Sequence, residues 1–247
     1  MTSKKILLFW GLMFSFIANF AQETIQTDRP DQTEGVFIVK KNSLQIESGL
    51  MLIKNYRTST TFLAPNTLFK YGIHERLEAQ LAFDVQERRN EFGVLPLSLG
   101  FKANLLKENK LIPEVSLIGR LQIKGLGSAN YAIRKSLPMF VFAFKNTVSN
   151  RFSIEYNLGM QWNDQSSPSY MFSISNGFDV TEKLSIYLEA FNATKKRDFA
   201  NAGFDFGGML TINKNWIIDA GFGKYLDEDE QDYFITLGLT TRLFTDD

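Results

Sequence analysis

Apolar and polar positions alternate along most of this chain. Leu77, Ala79, Leu81, Phe83 and Val85 alternate with Glu78, Gln80, Ala82 and Asp84. The same period of two runs through 95–105, 152–162 and 202–212, where Phe204, Phe206, Leu210 and Ile212 face away from Gly203, Asp205, Gly207 and Thr211. Eight more segments follow it more loosely, at about 43–54, 61–73, 111–124, 137–148, 169–180, 184–193, 216–225 and 232–244. Such alternation places successive side chains on opposite faces of a strand. The clearest runs are longer than the usual globular strand and match the length that crosses a bilayer at a tilt. Twelve such segments, an even number that closes without a free edge, predict an all-β fold: a transmembrane antiparallel β-barrel, apolar outside and polar within.

The connections alternate in length. Tight turns fall at 73–76, 107–110, 149–151, 180–183 and 213–215, and longer connections at 55–60, 86–92, 125–135, 163–168, 194–200 and 226–231. Outer-membrane barrels have short periplasmic turns and longer external loops, so the pattern places both termini on the periplasmic side. Tyr71, Phe152 and Trp216 adjoin tight turns, while Tyr56, Trp162, Tyr170, Tyr225 and Tyr233 adjoin long ones, as two interfacial belts require. Pro65, Pro96, Pro113 and Pro138 fall inside or at the start of these segments; each lacks a ladder donor and is expected at a strand end or bulge.

The N-terminus changes the picture from any barrel to an exported one. Lys4 and Lys5 precede an apolar run, Ile6 to Ile17, and Ala18 to Ala21 offers a small-residue cleavage site. This predicts a signal peptide at 1–21, an N-terminal periplasmic segment or plug at 22–42, and an outer-membrane barrel at 43–247. The chain contains no cysteine, which excludes disulfides and lipid attachment at a cleavage-site thiol. Its 27 basic and 27 acidic side chains cancel, so no basic field exists to displace counterions from nucleic acid. The 44% apolar content is ordinary for a soluble protein and too low for a helical membrane protein, and it does not argue against a barrel, in which only alternate residues meet lipid.

The inward parity carries both signs of charge. Glu78, Asp84, Glu114, Glu155, Asp179, Glu189, Asp205 and Asp219 face Lys102, Arg120, Lys124, Lys145 and Arg242. These residues fit either a wet lumen that selects a solute or a ladder of neutralising pairs filling a small barrel. The segment Thr27 to Glu34 is a candidate plug, with Arg29 meeting the acidic excess. His74 is the only histidine and reads as a solvated turn residue; with one His and no Cys, no transition-metal site, cofactor site or catalytic set is expected. Asp227, Glu228, Asp229 and Glu230 read as a solvated loop tip, with a divalent-cation bridge to lipopolysaccharide as the alternative.

The run TDRPDQTE at 27–34, headed by Thr27, Asp28, Arg29, Pro30 and Asp31, precedes SLQIESG at 43–49, and YGIHERL at 71–77 forms a turn. Together they resemble the Bacteroidetes-type members of an outer-membrane barrel family labelled as transporters or for a meta-pathway of phenol degradation. The resemblance implies an exported barrel that moves small hydrophobic or aromatic compounds, and it brings no catalytic residues. The chain departs from the usual assembly signal, since Phe244 is followed by Thr245, Asp246 and Asp247. The expected function is an outer-membrane channel or transporter for an unidentified small solute. The expected partners are outer-membrane lipid, lipopolysaccharide and the outer-membrane assembly machinery. A structural barrel with an occluded lumen, an outer-membrane lipid-modifying enzyme and a soluble periplasmic β-protein are the competing readings.

Overall fold

The computed structural model describes residues 25–54, 60–164, 168–194, 202–226 and 233–244. The predicted signal peptide, the acidic tip at 227–230 and residues 245–247 lie outside the described residues. The strands are β1 (Ser43–Lys54), β2 (Thr61–His74), β3 (Leu77–Arg88), β4 (Glu91–Val94), β5 (Ser98–Leu106), β6 (Glu114–Gln122), β7 (Leu137–Ser149), β8 (Phe152–Trp162), β9 (Pro168–Asp179), β10 (Leu184–Thr194), β11 (Gly203–Asn213), β12 (Trp216–Tyr225) and β13 (Tyr233–Phe244). Each pairs antiparallel with its neighbours. β1 closes the ring by pairing β13 from Ser43↔Phe244 to Lys54↔Tyr233.

Thirteen strands fill twelve wall positions. β4 and β5 pair with the two halves of β3, Val85↔Val94 at one end and Ala82↔Ser98 at the other. They form one wall strand interrupted at Leu95, Pro96 and Leu97. Pro96, lacking a donor, sits at this break. Pro65 sits in the bulge between Leu63 and Asn66, Pro138 near the start of β7, and Pro113 just before β6. The connection expected at 86–92 is not a long loop. β3 continues to Arg88 and turns through Arg89 and Asn90, both at positive φ (54° and 61°), the conformation of a two-residue hairpin turn. Strand β6 is also shorter than expected and ends at Gln122.

Apart from the β3–β4 turn, the short turns, the start of β1 and the end of β13 share one rim; that turn and the longer connections share the other. The burial pattern is that of a protein turned inside out. Phe172, Leu158, Leu188, Phe206 and Leu237 stand exposed on the outer face, whereas the largest fully buried side chains include Lys70, Lys102, Gln45, Glu47, Glu78 and Glu189. Buried charge of this extent needs partners, and an outer apolar band of this extent needs lipid. Tyr71, Trp216 and Tyr170 are exposed on the outside near the rims. Tyr225, expected in the outer belt, instead turns inward and packs against Phe191 and Phe234 across Gly203.

Candidate functional site

Residues 25–42 lie within the barrel as a re-entrant hairpin. The chain rises from the short-turn rim, reaches its apex near Arg29 to Gln32 at mid-barrel, and returns to enter β1. On the way in, Gln45 Nε2 donates to the Gln26 carbonyl (2.6 Å) and the Thr27 and Thr240 hydroxyls meet at 2.9 Å. On the way out, the Ser116 hydroxyl donates to the Val36 carbonyl (2.6 Å) and Val39 N donates to Glu78 (2.7 Å). Asn42 N donates to the Gly72 carbonyl (2.9 Å). The hairpin has little regular structure, so its backbone groups are satisfied by wall side chains, as buried backbone must be.

Charge organises the apex: the buried wall cations gather on one side, interleaved there with Glu47 and Glu78, and an acidic group stands on the other. Lys70, Lys102 and Arg120 stand on β2, β5 and β6, and Glu189, Asp205 and Asp219 stand opposite on β10, β11 and β12. The hairpin complements both sides. Asp28 pairs with Lys70 (2.5 Å) and Lys102 (2.8 Å), and Glu34 forms a two-pronged pair with Arg120, one prong at 2.8 Å. Toward the acidic side, Arg29 Nε lies 3.5 Å from Asp219. Its other nitrogens donate to Asn66 (2.9 Å), Thr236 (2.7 Å) and the Leu237 carbonyl (3.2 Å). Glu189 accepts from Thr33 and from Gln32 N, both at 2.7 Å, and Thr33 also meets Ser173 at 2.7 Å. Glu34 N and its carbonyl bond Asn157 at 2.7 and 3.0 Å.

Glycines make the space for this packing. Gly49 and Gly238 are register partners, and the Arg29 guanidinium occupies the slot between them: a Cβ would stand 2.2 Å from Arg29 Nη2 at Gly49 and 2.3 Å from Arg29 Nε at Gly238. A Cβ at Gly72 would meet the Lys40 carbonyl at 2.2 Å. Part of the contact is apolar: Val36 packs with Ile118, Val141 and Ala143, all buried. Burial alone would raise the Asp28 pKa, but the Lys102 and Lys70 ammoniums outweigh it and hold this carboxyl well below the usual carboxylate range. Asp31 has no cation partner among the described residues, only a hydrogen bond from Ser175. Burial, then the Glu189 and Glu155 carboxylates, push it well above that range.

The predicted site residues therefore separate into groups. Glu78, Lys102, Arg120, Glu189 and Asp219 contact the hairpin, and Asp84 reaches it through Asn66, which donates to Asp84 at 2.8 Å. Glu114 and Glu155 pair along the wall with Lys107 and Lys145, both at 2.7 Å. Asp205 is buried beside Glu189, with neither carboxylate oxygen hydrogen-bonded among the described residues. Arg242 lies near the short-turn rim, where it donates to the Lys214 carbonyl (3.2 Å). Asp179 is exposed at the end of β9 and accepts from Ser185 (2.6 Å). Lys124 does not line the lumen: β6 ends two residues earlier, and the side chain is exposed in the following loop. His74 is exposed in its turn.

Two central residues, Lys70 and Glu47, were not among the candidates. Glu47 follows the polar parity of Ser43 and Gln45 and was legible. Lys70 was hidden because the bulge at Pro65 shifts the phase of β2 midway. Beside the hairpin, toward the short-turn rim, lies a cavity of about 540 Å³ lined by Arg29, Asp31, Lys145, Glu155, Ser175 and Tyr187 among others.

A family model described as "Putative MetA-pathway of phenol degradation" matches residues 27–243. Among solved structures, an outer membrane channel from Pseudomonas putida F1 superposes with a TM-score of 0.63 at 11% identity, covering 88% of this chain and 100% of that one. The NanC porin superposes at 0.57 and 6% identity, covering 81% of this chain and 100% of that one. The KdgM porin superposes at 0.57 and 8% identity, covering 81% and 98%. At these identities the likeness is one of fold: all are outer-membrane barrels or porins. No curated protein matches the sequence.

Proposed function

The chain belongs to the family described as "Putative MetA-pathway of phenol degradation", and from that premise we propose that it is an outer-membrane channel for small solutes, hydrophobic or aromatic ones included. Its gate is its own residues 25–42. The observation that carries this reading is the two-sided docking of the hairpin apex: Asp28 and Glu34 on the cationic wall, Arg29 on the acidic one. A structural filler would be served by apolar packing. An apex held by matched charges has one defined docked position, because desolvation offsets much of the attraction, and it leaves a hydrated, charge-lined path when it moves.

The outer apolar face meets membrane lipid, with lipopolysaccharide on the long-loop side, and the barrel is inserted by the outer-membrane assembly machinery. Export uses a signal peptide cleaved after Ala21, and the TDRPD run marks a Bacteroidetes-type member. We assign the chain no catalytic activity.

Planar-bilayer recordings test the gate. The full mature chain should show long closed periods with brief openings, and deletion of residues 22–34 should give sustained current. Equal closure in both forms would refute the gate. The filled lumen also favours a second reading, a structural barrel. A mature chain that stays silent at every voltage and solute tried, while the deletion form conducts, would favour that reading.

A further inference from the structure

The Asp28 carboxylate does not dock alone. It sits between two fully buried ammoniums, 2.5 Å from Lys70 Nζ and 2.8 and 2.9 Å from Lys102 Nζ through its two oxygens. The same two ammoniums stand over the ring of Phe37, at 4.3 Å and 4.8 Å from its centroid. Carboxylate and ring come from opposite arms of the hairpin and meet beside Gly35, where a Cβ would lie 3.1 Å from Asp28 Oδ1 and 3.0 Å from the Phe37 ring. Gly35 N donates to Asp28 Oδ1 at 2.8 Å. The result is an aromatic ring and a carboxylate side by side on a pair of lysines.

We propose that the Lys70–Lys102 pair is a binding site for small aromatic monocarboxylates, and that the closed hairpin holds it with an internal copy of such a ligand. The inference deepens the channel reading and rests on it for the route by which a solute reaches mid-barrel. Charge fixes the class. Lys70 also pairs with Glu47, and buried Glu78 is the register partner of Lys102, so the wall already sets two carboxylates against the two ammoniums and has room for a ligand charge no larger than that of Asp28. A monoanion replaces Asp28 without residue; a dianion overcharges the site. The ring adds selectivity, because cation–π attraction is strongest for desolvated ammoniums such as these. An incoming aromatic acid thus competes with the hairpin for the same atoms, and its binding favours the displaced hairpin.

The test removes the internal copy and supplies an external one. The full mature chain carrying Asp28→Ala and Phe37→Ala is refolded in detergent and titrated calorimetrically with sodium benzoate. Sodium cyclohexanecarboxylate, sodium acetate and benzyl alcohol serve as controls. Benzoate should bind at least about tenfold more tightly to the double variant than to the parent. Cyclohexanecarboxylate should bind roughly fivefold more weakly than benzoate, and benzyl alcohol should give no heat. Adding Lys102→Met should abolish binding. If the double variant refolds poorly, the readout is the heat-modifiable folded fraction, which benzoate and not acetate should raise. Benzoate binding no better than acetate, affinity that survives Lys102→Met, or a folding yield indifferent to benzoate would each overturn the proposal. Bilayer currents on the same preparations separate the two readings. Sustained current in the 22–34 deletion without benzoate binding sinks only the ligand assignment. Benzoate binding in a chain that never conducts sinks only the channel.

Discussion

A single methyl group at Gly238 tests the central claim about the lumen, that Arg29 pins the hairpin apex. A Cβ there would stand 2.3 Å from Arg29 Nε and 2.5 Å from an Asp219 oxygen, too close for either to stay. The opposite side of the slot is Gly49, where a Cβ would fall 2.2 Å from Arg29 Nη2, so the guanidinium has no room to slide across. Displacing it stretches the bonds to Asn66, Thr236 and Leu237 together and removes the cation from buried Asp219. A hydrogen bond to a charged group contributes about 1.5–3 kcal/mol net, so losing one or two weakens docking by about 2–4 kcal/mol and raises the undocked population roughly 30- to 1000-fold.

The absence of native cysteine makes the assay clean. Val36→Cys places a small apolar thiol at a position 3% exposed, and its rate of maleimide labelling in the refolded barrel reports undocking. In that background Gly238→Ala should accelerate labelling by about 30-fold or more. Gly208→Ala is the control; it lies on the outer parity, where a Cβ comes no closer than 3.1 Å to its neighbours, and it should change nothing. A Gly238→Ala barrel that remains heat-modifiable and labels within about twofold of its parent would refute the pinning argument.

Three further outcomes are expected. Ile118→Ala opens a cavity under Val36 and should weaken hairpin docking by about 2–4 kcal/mol, read as faster labelling of a cysteine at Pro30, while barrel melting changes less; equal loss in both would contradict it. Asp31 has a raised folded pKa, so its stabilising contribution is complete below the ordinary carboxylate value of 3.8 and is lost as pH rises toward the folded value. Asp31→Asn should therefore flatten the fall in hairpin protection above that pH and increase protection at pH 7, and an unchanged pH profile would argue against it. Asn90→Val forces a β-branched residue into positive φ in the β3–β4 turn and should cost about 1–2 kcal/mol in denaturant melts, with β1 pairing unaffected.

The alternation of apolar and polar residues was enough to read the barrel, its twelve wall positions and its polar interior, because lipid and lumen impose a period of two on every strand. It also carried Glu78, Lys102, Arg120, Glu189, Asp205 and Asp219 onto the inner face. Local pattern failed where the phase slips or an end is fixed by pairing. The bulge at Pro65 concealed Lys70, the break at Pro96 split one strand into two, and the end of β6 at Gln122 left Lys124 outside. Tyr225 has a rim position by sequence, but it shares the inner parity of Asp219 and Gly223, and the Phe191 and Phe234 rings pack against it there. Which lumen charge meets which hairpin residue was beyond the sequence altogether. Asp28 meets Lys102 across 74 positions of chain, and Arg29 meets Thr236 across 207. Those pairings exist only once the closed ring sets β2, β5, β6 and β10 to β13 around one short segment. The composition supplies the charges, and barrel closure decides which of them neutralise one another.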